Sequence, residues 1–332
     1  MKLTTIVSVL DSLSTATDPA LSRALLLARW YESDLHVVHV PPSSRVSEGV
    51  GDAIHDDIAE RITRVAEASG TDGVNVIPAV LLGSPVRAIA NYTDRVSADL
   101  VVVGKKARRG SFYWSAGSFA AALGKAVKSP TIAIPSDDPA TDSGLFRNVL
   151  VPIDFSEVSL RALAEALVLA QQSGGDLRLL HVLDGFPYET VYSGSRASRL
   201  MHDFRARVAR VNRQLQSLIP SDALNWSQID VSTVSGVAHE AIIAAASEQR
   251  ADLVVLGLPR RSRMEEFVAG STVHRVLRRT TSPVLLVPGP ATASLVRPTD
   301  EDAVHFAAHA GAFGLSAAIE PDRAREGGTS WQ

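Results

Sequence analysis

Short apolar runs alternate with longer amphipathic segments along most of this chain. An apolar run bounded by polar residues or glycine predicts a strand, and apolar residues spaced three and four apart predict a helix. Five such runs in the first part of the chain predict strands over 6–10, 35–40, 74–80, 98–104 and 131–134. Because the runs are unbroken, we expect each strand to be buried on both faces, as in a parallel sheet covered by helices.

The segments between these runs carry helix signals. Asp18 followed by Pro19 is a typical helix start, since aspartate caps the first turn and proline fits its first position. Further helices are predicted over 52–68, 86–96 and 118–127. Strand and helix therefore alternate, which favours a parallel sheet with helices on both faces.

The same order of elements begins again near residue 147. A strand over 149–153 ends at Asp154, and Ser156 is a good N-cap for the helix that follows. The run Ala98–Gly104 has its counterpart in Ala251–Gly257, and from the third helix onward the offset between the two copies stays constant. Such agreement is very unlikely by chance, so the chain is a tandem repeat.

The repeat divides the chain into two domains, predicted over residues 1–136 and 147–289. Each is expected to be a five-stranded parallel sheet with helices on both faces, and each is long enough to bury its own core. Residues 137–146 are polar with proline and glycine, which predicts a linker. Residues 290–332 form a C-terminal tail without a counterpart in the first copy, and we expect it to be partly disordered.

Composition narrows the class of protein. A net charge of −3 and a pI near 6.3 argue against a general nucleic-acid or membrane-surface binder. The absence of cysteine removes disulfides and thiol catalysis. No apolar run approaches the roughly 18 residues that a membrane span needs, and the start of the chain shows no leader pattern, so a cytoplasmic location is the expectation.

The end of the fourth strand is a candidate anion site in the first copy. Gly104 closes the strand, and Gly117-Ser118 opens the next helix after a basic loop. Backbone N–H groups at a helix start are unpaired and carry partial positive charge, so they suit a phosphate. The alternative is a plain strand-to-helix turn.

The second copy repeats this arrangement with more charge. Gly257 and Gly270 have the same spacing as Gly104 and Gly117, and Ser271 and Thr272 continue into a helix. Arg260 and two further arginines in this loop suit bidentate phosphate recognition. A turn with solvated arginines is the alternative here.

An aspartate ends the first strand of each copy, at Asp11 and Asp154, where ligands of open α/β sheets bind. A helix cap or an ion pair to the basic loop explains these aspartates equally well. Combined with the Gly-x12-Gly-Ser spacing and the Ser-Pro before the last strand, they make the chain resemble the universal stress protein family in its tandem two-domain form. The resemblance covers about residues 4–135 and 147–288.

The resemblance implies a fold similar to adenine nucleotide alpha hydrolases, with the two domains packed as an internal pseudo-dimer through their last strands. In the ATP-binding branch of the family, the first-strand aspartate contacts ribose or adenine-side groups and the glycine loop holds the phosphates. Carried over, this implies ATP with Mg²⁺, with the base near Ile153 and Asp154 and the phosphates near Gly257, Gly270 and Ser271. A sensor or adaptor with protein partners is then expected, and homodimerisation stays open.

One departure from the family pattern weakens the nucleotide hypothesis. The middle glycine of the motif is replaced by Ala107 in the first copy and by Arg260 in the second. The first copy also has Phe112-Tyr113-Trp114 in its loop, which either stack on a base or occupy the cavity. We therefore expect nucleotide binding mainly in the second domain, and the alternative is a nucleotide-free interaction module.

No catalytic motif is present, so the chain is not expected to be an enzyme. His39 and His181 recur at equivalent strand ends, which indicates a shared fold more than a catalytic pair. His239-Glu240 begins like a zinc-protease helix, but Ile243 stands where the second histidine is required, so no metal site is expected. An apolar or lipid-like ligand between the repeats is a third, weakly supported alternative.

Overall fold

The computed structural model describes residues 3–11, 13, 18–41, 51–105, 117–138, 146–184, 195–259 and 272–290. In the first repeat these residues form nine elements, namely β1 Thr5–Val9, α1 Pro19–Tyr31, β2 Asp34–His39, α2 Gly51–Ala68, β3 Val76–Val80, α3 Pro85–Arg95, β4 Leu100–Gly104, α4 Ser118–Ala126 and β5 Thr131–Ile134. In the second repeat they form β6 Asn148–Pro152, α5 Glu157–Ser173, β7 Asp176–Leu183, α6 Ser195–Ser217, β8 Ile229–Ser235, α7 Ala238–Glu248, β9 Leu253–Leu258, α8 Thr272–Arg279 and β10 Val284–Pro288.

The ten strands form one continuous sheet in the order β3-β2-β1-β4-β5-β10-β9-β6-β7-β8. Within each repeat all neighbouring strands are parallel, as for Ile6 beside Leu35 on one side and Leu100 on the other. The repeats meet where β5 pairs with β10 in antiparallel direction, with Ile132 opposite Leu285. The predicted fold class is therefore confirmed, and the two sheets are fused through their last strands as in a pseudo-dimer.

Helices cover both faces of this sheet. One face carries α1, α2, α5 and α6 over a core that includes Leu21, Ile62 and Leu179, and the other carries α3, α4, α7 and α8 over a core that includes Leu123 and Val254. Burying both faces of a sheet requires strands that are apolar throughout, which is the pattern the sequence has.

Helix starts follow the predicted chemistry. The carboxylate of Asp18 accepts hydrogen bonds from Ala20 N and Leu21 N, with Pro19 in the first turn of α1. The hydroxyl of Ser156 accepts from Ser159 N at 3.3 Å at the start of α5. Observed ends differ from predicted ones by a residue or two, because single-sequence patterns locate helix and strand ends only to that accuracy.

The two ends of the predicted linker are packed against the first repeat. Arg23 of α1 donates to both carboxylate oxygens of Asp138, at 2.9 and 3.0 Å, and the two side chains are 6% and 2% exposed. The guanidinium also lies 5.2 Å from the ring centroid of Phe146, which is buried. Residues 139–145 and the predicted tail from 291 onward lie outside the described residues.

Candidate functional site

The strand order reverses between β6 and β9, and in open α/β sheets the ligand crevice is found at the carboxyl ends of such strands. From β6 the chain continues to β7 on one side, whereas β9 lies on the other. Ile153 and Asp154 follow β6, and Gly257 lies near the end of β9. Ligands of open α/β sheets bind at such switch points, and here the structure brings these three predicted residues to one edge of the sheet.

Asp154 lies on the surface and holds the start of α5. Its Oδ1 accepts from Ser156 N at 3.0 Å and from the Ser156 hydroxyl. Phe155 between them has a left-handed φ of 62°. Ser156 is the N-cap of α5, and Asp154 supports this cap by accepting from Ser156 without bonding to the helix itself. Among the described residues its second oxygen, Oδ2, takes part in no hydrogen bond.

Gly257 is in contact with the backbone of the first turn of α5. A Cβ added at Gly257 would lie 2.8 Å from Ser159 N and closer still to the carbonyl of Val158. The absence of a side chain lets this helix pack directly on β9. Gly257 thus has a packing role that the sequence did not reveal.

The two repeated histidines make the same contact in each half. His181 Nδ1 lies 2.7 Å from the carbonyl oxygen of Ile153, and His39 Nδ1 lies 2.8 Å from that of Leu10. Because a carbonyl only accepts, Nδ1 carries the proton in both rings. Each histidine therefore ties the end of the second strand of its repeat to the residue just before the repeated aspartate, Asp11 or Asp154. This structural role is shared by the two repeats.

The anion-binding turn predicted at Gly117 in the first repeat packs against α8 of the second repeat. Gly117 N donates to Lys105 O at 3.0 Å, so the turn is fixed to the residue after Gly104. Gly117 has φ 80°, and a Cβ there would lie 2.9 Å from Leu277 Cβ on α8. Glycine is required at this position for both reasons. Ser118 follows as the first residue of α4.

Lys105 is a buried amine that joins the two halves. Its Nζ donates to the carbonyl of Thr280 at 3.2 Å and to that of Ser282, both between α8 and β10. Burial lowers the pKa of Lys105 to about 7, while the carboxylates of Asp137 and Asp138 oppose this shift. Sequence reasoning missed this residue, although the equivalent position in the second copy is Leu258, and that mismatch within otherwise matching strands was the available signal.

Of the other residues predicted to contact phosphate in the second repeat, only Thr272 lies within the described residues. Thr272 begins α8 and is half-buried, whereas Arg260, Gly270 and Ser271 lie outside the described residues. Ala107 and the aromatic residues of the first loop lie outside them as well.

On α8, Arg275 Nη1 is 3.2 Å from His239 Nε2, which makes His239 an acceptor in its neutral form.

A small apolar cavity lies at the junction between the repeats. Leu27 and Tyr31 of α1 face Leu169 of α5 across it, and its volume is about 20 Å³. That space accommodates roughly one water molecule, so it is too small for a lipid-like ligand. Tyr31 at its wall donates to Gln172 Oε1 at 3.0 Å, and burial raises the pKa of Tyr31 to about 12.

Fold and site together define a class of protein: a tandem pair of five-stranded α/β domains fused through their last strands, with a crevice where the strand order reverses. The sequence model of the universal stress protein family matches residues 2–135 and 145–288 of this chain. The chain therefore belongs to the universal stress protein family and contains its domain twice.

Individual relatives agree with this assignment. Universal stress protein MJ0531 of Methanocaldococcus jannaschii is 25% identical over 147 residues, which is 44% of this chain and 84% of that protein. Universal stress protein YxiE of Bacillus subtilis is 28% identical over 151 residues, 43% of this chain and 99% of that protein. A solved universal stress protein from Archaeoglobus fulgidus is similar over 86% of this chain and 97% of its own, with 20% identity and a TM-score of 0.60.

Of the helices in the described ranges, none is long and apolar enough to span a membrane. Within the same ranges, no group of three or more histidine, aspartate or glutamate side chains is arranged to hold a metal ion.

Proposed function

We propose that this universal stress protein binds an adenine nucleotide, ATP with Mg²⁺, in its second half and acts as a stress-response sensor or adaptor. It is not proposed to be an enzyme. One observation carries the proposal: Asp154 and Gly257 stand at the carboxyl ends of two adjacent strands, on either side of the point where the strand order reverses. This is the position at which open α/β sheets take nucleotides.

The residues at the base end fit this proposal. Ile153 is buried and offers an apolar floor, and Asp154 is exposed with Oδ2 available to accept from ribose hydroxyls or adenine-side groups. The phosphates would lie toward Thr272 at the start of α8, where helix N–H groups favour negative charge. Mg²⁺ would be held chiefly by those phosphates, as is usual for this ion.

Isothermal titration of the full chain with Mg²⁺-ATP tests the proposal. We expect heat of binding in the wild type and its loss in Gly270→Val, whose side chain would obstruct the phosphate turn. Gly73→Ala, in the turn before β3, is the control, because an added Cβ there meets nothing within 4 Å and the strain at its left-handed φ of 74° is remote from the site. At a hundredfold excess over Kd, a ligand stabilises the folded state by about 2.7 kcal/mol, so a thermal shift accompanies binding. Absence of both signals at millimolar nucleotide contradicts the proposal.

A second candidate function is a nucleotide-free interaction module. The observation that favours it is that two motif glycines have packing reasons of their own: Gly257 contacts the first turn of α5 and Gly117 contacts Leu277. For this candidate we expect ATP to produce the same shift in melting temperature in the wild type and in Gly270→Val.

A further inference from the structure

The two ends of the ten-stranded sheet carry opposite charge. α2 and α6 are equivalent helices of the two repeats, they lie on the same face, and each packs on the edge strand of its own half, β3 or β8. Residues 51–80 contain six acidic and two basic side chains, whereas residues 195–236 contain six arginines and three aspartates. One end is therefore net negative and the other net positive.

The positive end is an exposed row of arginines on α6. Phe204, Val208, Val211 and Leu215 turn toward the core, so the opposite face of the described part of the helix, residues 201–217, faces solvent. Arg207, Arg210 and Arg213 are exposed, and no carboxylate of the described residues lies within 4.0 Å of them. These three arginines lie within about two turns of α6, and their positive charge meets no carboxylate among the described residues.

The negative end is similarly exposed. On α2, the side chains of Asp57 and Glu60 are 62% and 70% exposed. Arg61 and Arg64 lie one turn further along, 4.0 and 3.5 Å from these carboxylates. Such exposed pairs within one helix are weak, and two arginines do not balance the acidic residues of this end, so it remains a net acidic surface.

We propose that α6 of one molecule docks on α2 of a second copy, head to tail. A symmetric contact of α6 with α6, or of α2 with α2, would place like charges opposite each other, whereas the α2–α6 contact pairs opposite charges. Backbone pairing of the sheet edges is disfavoured because β3 contains Pro78, which has no N–H to donate. The contact is therefore made by helix side chains, and because it is heterologous, each bound copy leaves one further end open.

Sedimentation velocity of the full chain tests this proposal. Exposed charges are screened by salt, so we expect the average sedimentation coefficient to rise with protein concentration at about 0.02 M ionic strength and to become constant at about 0.5 M. The charge reversals R207E/R210E on α6 and D57R/E60R on α2 should each abolish association. Reversal of the exposed pair R278E/R279E on α8, in the middle of the molecule, is the control and should leave association unchanged.

Mixing the two charge-reversed variants is the decisive measurement. R207E/R210E alone has two net negative ends, and D57R/E60R alone has one neutral and one positive end, so neither variant can form the α2–α6 contact with itself. In the mixture the unchanged acidic α2 of the first variant meets the unchanged basic α6 of the second, so association should return. A wild type that stays monomeric at low salt would overturn the proposal. The partner of α6 would then be an acidic segment of its own chain or another acidic molecule. Wild-type association that the mixture fails to restore would overturn the head-to-tail pairing.

Discussion

The carbonyl of Val158 lies directly over Gly257, so the first turn of α5 rests on the backbone of β9. Ser159 N would be only 2.8 Å from a methyl group placed at Gly257. The loop that begins at Asp154 is therefore in contact with the end of β9, and the crevice at the switch point has this helix turn as one wall. Any ligand at this site lies beside a contact that the fold itself requires.

Gly257→Ala should destabilise the protein strongly. The added methyl group meets backbone atoms of α5, which cannot move aside as the end of a flexible side chain can, so we expect a loss of about 3 kcal/mol, the upper part of the range for overpacking. Urea unfolding measures this loss. Gly73→Ala is the control, since it costs only left-handed strain, about 1 kcal/mol. An equal loss in both variants would show that α5 does not press on this position.

The pairing of Lys105 with the second half makes the junction sensitive to pH. The neutral amine has two N–H groups, matching the two carbonyls of Thr280 and Ser282, whereas the ammonium form has a third that must be desolvated. Burial lowers the pKa of Lys105 from 10.5 to about 7. Between these values the unfolded chain binds more protons than the folded one, so this lysine makes stability rise with pH in that window.

Lys105→Met should remove this slope. We expect the unfolding free energy of the wild type to rise relative to that of the variant from pH 7 to pH 10. Below pH 7 the difference should stay constant, because Lys105 is protonated in both the folded and the unfolded wild type. Lys128→Met is the matched control, because Lys128 is exposed and pairs with Asp94 at 2.9 Å. If the unfolding free energies of wild type and Lys105→Met depend on pH in the same way, the slope does not come from Lys105.

The ion pair between Arg23 and Asp138 should be among the most sensitive contacts of the first repeat. Both side chains are buried and joined by two hydrogen bonds. Removing one partner leaves an uncompensated buried charge, which costs about 3–5 kcal/mol. We expect Arg23→Met and Asp138→Asn each to lose stability of this order in urea, and the double variant to lose much less than their sum. Additive losses would show that the two residues act independently.

The repeat and the fold could be predicted because they depend on local pattern. Each strand is an unbroken apolar run, and starts such as Asp18-Pro19 and Ser156 use side chains that are adjacent in sequence to the groups they cap. The pairing of β5 with β10 was predicted only through the family resemblance. No local pattern indicates which strand edges meet, because that depends on residues far apart in the chain.

The candidate site was only partly predictable for the same reason. Asp154 and Gly257 were found because each lies at the carboxyl end of a predicted strand, and parallel strands bring these ends together. The contact of Val158 with Gly257 and that of Lys105 with Ser282 depend on how a helix or a second repeat packs, which sequence spacing does not report. Consequently, the motif glycines were interpreted as phosphate contacts alone, although the structure also gives them packing roles.

Asp154 allows its two roles to be separated by substitution. Asp154→Asn keeps an oxygen at the Oδ1 position that accepts from Ser156 N at 3.0 Å, so it should preserve the start of α5. Asp154→Ala removes the hydrogen bonds that hold the Ser156 N-cap and should cost about 1 kcal/mol of stability. If the carboxylate also accepts from a nucleotide, the loss of its charge should weaken Mg²⁺-ATP binding roughly tenfold in both variants, which corresponds to about 1.4 kcal/mol. Urea unfolding and calorimetric titration of the three proteins provide the two readouts. ATP affinity that is the same in all three would restrict Asp154 to holding the Ser156 N-cap, while stability that falls equally in Asn and Ala would contradict that structural role.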